Sequence, residues 1–105
     1  MVAMIYVKKY RDDCLYLSTD LYKKINSQYI QVLFNKNSNE VAFVGCSKND
    51  EESICLIKCH IDHTNFVRHE IGRKNVCSLF EKGKRYMGKY YKKYNCVIIN
   101  LGKRK

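Results

Sequence analysis

The sequence predicts a small α+β domain rich in β-structure, a small antiparallel sheet or barrel with two short helices. Three observations predict it. Several stretches alternate apolar and polar residues at period two, among them Val2–Lys8, Gln28–Phe34 and Ser53–Ile61. Ser18 and Thr64 each stand ahead of a short apolar stripe, where a hydroxyl can cap a helix. Turn-forming clusters punctuate the rest: Arg11-Asp12-Asp13, Asn35-Lys36-Asn37-Ser38-Asn39 and Glu81-Lys82-Gly83-Lys84. With 105 residues, 46% of them hydrophobic, the chain is expected to bury one core and form one domain, residues 1–105.

Taken in order, Val2–Lys8 and Cys14–Leu17 read as short strands. Ser18 caps a helix whose Leu21 and Ile25 fall at i, i+4, with Asp20 in its first turn and its end near Asn26. Gln28–Phe34 and Glu40–Val44 form a hairpin around the Asn-rich loop, since Asn tolerates left-handed backbone. Ser53–Ile61 alternates again, with Cys55, Ile57, Cys59 and Ile61 on the core side and Leu56, Lys58 and His60 opposite. Thr64 caps a second helix carrying Phe66, Val67 and Ile71, stopped by Gly72. A weak strand, Val76–Phe80, precedes Arg85–Tyr91 and Cys96–Leu101. Tyr86, Tyr90 and Tyr94 would also stripe a helix, but Gly88 and the strand preference of Tyr favour a hairpin.

The halves echo each other. QYIQVLFNKNSNEVAFVG lies over KRYMGKYYKKYNCVIINLG, which suggests a pseudo-duplicated helix-plus-hairpin unit. The order strand, capped helix, strand, turn, strand in CLYLSTDLYKKINSQYIQVLFNKNSNEVAFV resembles the AbrB/SpoVT swapped-hairpin DNA-binding unit over about a third of the chain. In that family two such units interlock into a small barrel, so the resemblance implies a β-rich barrel. The chain departs from the pattern at Tyr16-Leu17-Ser18-Thr19, where the family has Gly-Arg and a helix-starting Pro, and no family residue is carried over.

Charge is segregated. Residues 1–62 hold eight Lys/Arg and eight Asp/Glu, whereas residues 63–105 hold twelve Lys/Arg against Glu70 and Glu81. The net +10 therefore lies in the basic half, and such a one-sided field attracts polyanions. The expected contact residues are Arg68, Arg73, Lys74, Lys82, Lys84, Arg85, Lys89, Tyr91, Lys92, Lys93, Lys103, Arg104 and Lys105. Strand alternation puts Arg85, Lys89 and Tyr91 on one face of their strand and Tyr86 and Tyr90 on the core side. Lys8, Lys9, Lys23 and Lys24, in the neutral half, are expected to contribute less.

Catalytic signatures are weak. Cys55, Cys59, His60 and His63 are zinc-ligand types, but an extended strand holds Cys55 far from His63 and turns Cys59 and His60 to opposite faces. Neither a metal nor another cofactor is expected. Cys59 and His60, as sequence neighbours, do not make a nucleophile–base pair, and no Gly-rich phosphate loop is present. No apolar run approaches the roughly 20 residues of a membrane span, and MVAMIYVKKY lacks the build of a signal peptide. These readings predict a cytoplasmic, non-enzymatic protein with free thiols, monomeric or homodimeric, whose partner is nucleic acid. The alternative is a protein-binding inhibitor of the phage or mobile-element type, such as an anti-CRISPR protein, docking its basic face on an acidic protein surface. Abundant Lys, Asn, Ile and Tyr fit the AT-rich genome of a low-GC bacterium or phage.

Overall fold

The computed structural model describes residues 4–60 and 67–102. The chain runs β1 (Tyr6–Arg11), β2 (Cys14–Leu17), α1 (Thr19–Ile25), β3 (Tyr29–Asn35), β4 (Glu40–Cys46), β5 (Ile54–Cys55) and β6 (Ile57–His60). It continues through β7 (Val67–Ile71), α2 (Lys74–Cys77), β8 (Arg85–Tyr91), a 3-10 turn (Lys92–Tyr94) and β9 (Cys96–Asn100). The strands form a nine-stranded sheet in the order β5-β3-β4-β9-β8-β1-β2-β7-β6, with antiparallel neighbours throughout. β5 and β6, at the two ends of that order, are separated in the chain by Leu56 alone. The sheet therefore curls until its edges meet, and the wall is a nearly closed barrel. Leu56 marks the junction: it is buried, and its amide donates to the Gln28 carbonyl at 2.8 Å.

The period-two pattern decides which side chains face inward. Val7, Leu15, Leu17, Ile30, Val41, Phe43, Ile71, Val97 and Ile99 are buried, drawn from six strands: β1, β2, β3, β4, β7 and β9. Tyr86 joins them, packing edge-on against Phe80 with ring centroids 5.1 Å apart. The helices complete the filling. Leu21 and Ile25 of α1, Val76 and Cys77 of α2, and Phe80 all belong to the same buried cluster. Gly88 on β8 leaves room for it: a Cβ there would stand 2.7 Å from Val97 Cγ1.

α1 begins and ends as its sequence requires. Ser18 has extended backbone, and its Oγ accepts from the amides of Leu21 (3.2 Å) and Tyr6 (3.1 Å). One hydroxyl thus caps the helix and ties it to β1. Asn26 closes the helix in the left-handed region at φ 49°, its amide donating to the Tyr22 carbonyl.

Three expectations are corrected. Val67–Ile71 is a strand, paired with both β2 and β6, and not a helix. A spacing of four between Val67 and Ile71 suits period two as well as period 3.6, and β2 needs a partner along its free edge. The second helix lies instead at Lys74–Cys77, overlapping the start of the weak strand expected at Val76–Phe80. The faces of Cys55, Leu56 and Ile57 are reversed: Leu56 is buried while Cys55 and Ile57 are exposed. The bulkier pair Ile54 and Leu56 takes the interior, and Ile54 pairs with the fully buried Ile30. Residues 61–66, with the Thr64 cap, lie outside the described residues.

Candidate functional site

β8 is paired on both sides, with β9 and β1, and so stands in the middle of the wall. Its alternation sends Tyr86 inward and leaves Arg85, Met87, Lys89 and Tyr91 exposed, while Tyr90 is half-buried. The Tyr90 hydroxyl donates to Asn95 Oδ1 at 2.8 Å, which gives that ring a structural task.

The register with β1 and β2 brings in residues outside the basic half, among them Lys8, which charge counting expects to contribute less. Lys8 lies directly opposite Arg85 on one side and Tyr16 on the other, and Tyr6 lies opposite Met87. Tyr6, Lys8 and Tyr10 share the outer face of β1 because they alternate with Val7 and Lys9. Their rings form a chain: Tyr6 to Tyr16 is 5.9 Å between centroids and Tyr16 to Tyr10 is 5.8 Å. Cations sit over these rings. The Arg85 guanidinium carbon is 4.2 Å from the Tyr6 centroid, Lys8 Nζ is 5.2 Å from Tyr10, and Lys89 Nζ is 5.5 Å from Tyr91. Each such contact contributes about 0.5–1 kcal/mol at an exposed site, enough to bias the position of a long side chain. Burial, then the neighbouring Tyr6, raises the Tyr16 phenol above its ordinary value, so it stays neutral.

The remaining expected contacts divide. Lys92 and Lys93 occupy the 3-10 turn after β8, with Lys93 over the exposed ring of Tyr94 at 5.4 Å. Lys84 leads into β8, and Lys82 bridges to Lys9 at the same end. Arg73 and Lys74 stand apart at α2, where Arg73 and Glu52 line a recess of about 280 Å³. The Arg68 backbone belongs to β7, but its side chain lies outside the described residues, as do Lys103, Arg104 and Lys105. Glu70, opposite Tyr16 on β7, and Asp12 and Asp13 in the β1–β2 turn end the cationic strip on its β2 side.

The zinc-type cluster is only partly visible. Cys55 is exposed on β5, whereas His63 and the side chains of Cys59 and His60 lie outside the described residues. Among the described residues no three His, Cys, Asp or Glu side chains are grouped to hold a metal ion. Cys14, Cys46, Cys55, Cys77 and Cys96 are all free thiols. Burial, reinforced by Glu70, pushes the Cys14 thiol up to about 11, and burial also raises Cys46, Cys77 and Cys96. These four are protonated at neutral pH and are poor nucleophiles. Among the described residues no helix is long and apolar enough to cross a membrane.

No family model matches the chain, and no curated protein or solved structure shows significant similarity to it.

Proposed function

We propose that this chain is a small, non-enzymatic, cytoplasmic nucleic-acid-binding protein that uses the outer face of β8, β1 and β2. The observation that carries the reading is the cross-strand placement of Lys8 against Arg85, with Tyr6, Tyr10, Tyr16 and Tyr91 set among the cations. Lysine and arginine neutralise phosphates and release their counterions, so affinity of this kind depends steeply on salt. The test is a salt titration on duplex DNA, single-stranded DNA and RNA. The logarithm of affinity is expected to fall with the logarithm of salt at about −0.9 per phosphate contact on duplex, or about −0.7 on single strands. Replacing Lys84, Arg85, Lys89, Lys92 and Lys93 with Gln should lower that slope. Binding no tighter than that of a generic basic protein of equal charge would defeat the reading.

A second reading, docking on an acidic protein surface in the manner of a phage inhibitor, draws support from Met87 and Tyr91. Met87 is 53% exposed and Tyr91 39%, and apolar anchors among cations suit a protein interface. A pull-down from host lysate with and without nuclease separates the two.

We further propose that the chain is internally duplicated, with β1-β2-α1-β3-β4 as one unit and β6-β7-α2-β8-β9 as the other. The pairings support this. β2 pairs with β7 and β4 with β9, each with its own counterpart, while β1–β8 is matched by the pairing of β3 with β5, the strand that runs on into β6. In the sequence echo Asn39 falls on Asn95, and both have left-handed backbone, at φ 55° and 47°, immediately before the second strand of their hairpin. The likeness of β2-α1-β3-β4 to the swapped-hairpin unit fits the same scheme, with one chain supplying both copies. Only one unit then carries the basic hairpin.

A further inference from the structure

We infer that the preferred ligand of the β8-β1-β2 face is an unpaired nucleic-acid strand, whose bases stack on the tyrosine chain while Lys8, Arg85 and Lys89 hold its phosphates. This rests on the nucleic-acid reading above and narrows it to a class of ligand.

Three features point the same way. First, the rings are turned against one another. Tyr16 stands 5.9 Å from Tyr6 and 5.8 Å from Tyr10 between centroids, with interplanar angles of 52° and 72°, so they do not present parallel faces at the roughly 3.4 Å repeat of a duplex strand. Bases held on successive rings must therefore be splayed apart, which pairing forbids. Second, cations lie beside the rings and not in a separate patch. A nucleotide stacked near Tyr10 or Tyr91 has Lys8 or Lys89 within reach of its phosphate. The Arg85 guanidinium, already over Tyr6, offers a further plane for a base. Third, the face is unsuited to reading a duplex. Direct readout needs a helix or a two-stranded ribbon in the major groove, about 12 Å wide. Here β8 and β1 each have a strand on either side, and α1 and α2 give Leu21, Ile25, Val76 and Cys77 to the core.

The tyrosines are also placed to bear substitution. Tyr10 is 44% exposed and Tyr91 39%, so their removal leaves the interior intact. Met87, 53% exposed, lies opposite Tyr6 and between Arg85 and Lys89 along β8, and adds an apolar contact for a base.

The test is fluorescence anisotropy of the full chain with oligo-dT, oligo-U and a duplex, each of about twelve nucleotides or base pairs. Both single strands are expected to bind at least about tenfold tighter than the duplex; preference between oligo-dT and oligo-U reports which sugar is favoured. Tyr10→Leu and Tyr91→Leu should each weaken single-strand binding by roughly 5- to 150-fold, from the stacking contribution of one base, with duplex binding unchanged. Urea melts of both variants confirm that they fold. Lys8→Gln with Lys89→Gln should lower the salt slope, whereas Lys23→Gln with Lys36→Gln, an equal loss of charge elsewhere, should change it much less. Equal affinity for duplex and single strand, or tyrosine variants that bind like the parent, would overturn the inference. If the Lys8/Lys89 pair still lowers binding in that case, the broader reading survives. If none of the three probes binds above the background of a generic basic protein, the broader reading falls with it.

Discussion

Replacing Asn95 should cost stability in two separable parts. Asn95 sits at φ 47° between the Lys92–Tyr94 turn and β9, and its side chain works in both directions. Its Nδ2 donates to the Ile25 carbonyl at the end of α1 (3.0 Å), and its Oδ1 accepts from the Tyr90 hydroxyl (2.8 Å). One residue thus fastens α1 to the β8–β9 hairpin. Asn95→Gly removes both hydrogen bonds but accepts the backbone conformation freely. At a net 0.5–1.5 kcal/mol for each bond, the expected loss is about 1–3 kcal/mol. Asn95→Ala loses the same bonds and adds the left-handed penalty of a Cβ, about 1 kcal/mol more. The alanine variant should therefore be the weaker of the two, by about 4–8 °C in Tm for that last kcal/mol. Urea denaturation of the parent and both variants supplies the numbers. Two variants within about 0.5 kcal/mol of the parent would refute the fastening role. Equal losses for Gly and Ala would refute the backbone term alone.

Other outcomes follow from the same packing. Ser18→Ala removes the acceptor shared by the Leu21 and Tyr6 amides and should cost about 1–2 kcal/mol in a urea melt. Gly88→Ala places a methyl 2.7 Å from Val97 Cγ1 and 3.1 Å from Ile99 Cγ1, an overpacking worth about 1–3 kcal/mol by the same measurement. The raised Cys14 thiol favours the native state while it is protonated, so its contribution is intact below pH 9 and is lost as pH rises through about 11. Relative to Cys14→Ala, the parent should therefore lose about 2–3 kcal/mol of urea stability across that alkaline window. A native alkylation with mass spectrometry should modify Cys55 quickly and spare Cys14, Cys77 and Cys96 until denaturant is added.

The hairpins and α1 were legible because local signals agreed there: the Ser18 cap, the Leu21–Ile25 stripe and the Asn-rich turn all point to what forms. Val67–Ile71 was misread because a four-residue spacing serves a strand and a helix equally, and the deciding term is β2, fifty residues away in the chain by order of magnitude, which needs a partner. The reversed faces of Cys55 and Leu56 have a similar origin. Ile54, Cys55, Leu56 and Ile57 are all apolar, so over these four residues only the barrel closure chooses the inward pair. The proposed site was half legible. Alternation placed Arg85, Lys89 and Tyr91 outward and Tyr86 inward, as the structure has them. Net charge could not single out Tyr6, Lys8, Tyr10 and Tyr16, because residues 1–62 balance to zero and the register that brings Lys8 to Arg85 is a tertiary fact. The one available signal was the alternation of Tyr6, Lys8 and Tyr10 along β1.

The central claim concerns a place on the surface, and backbone amide NMR tests it most directly. On titration of the labelled chain with a short single-stranded oligonucleotide, the amide shifts should move along β8, β1 and β2, at Tyr6, Lys8, Tyr10, Tyr16, Arg85, Met87, Lys89 and Tyr91. The far end of β3, where Leu33 and Phe34 are 54% and 41% exposed, should stay unchanged, since β4 and β9 separate β3 from β8. Shifts centred on Leu33 and Phe34, or no saturable shifts at low salt, would contradict the account.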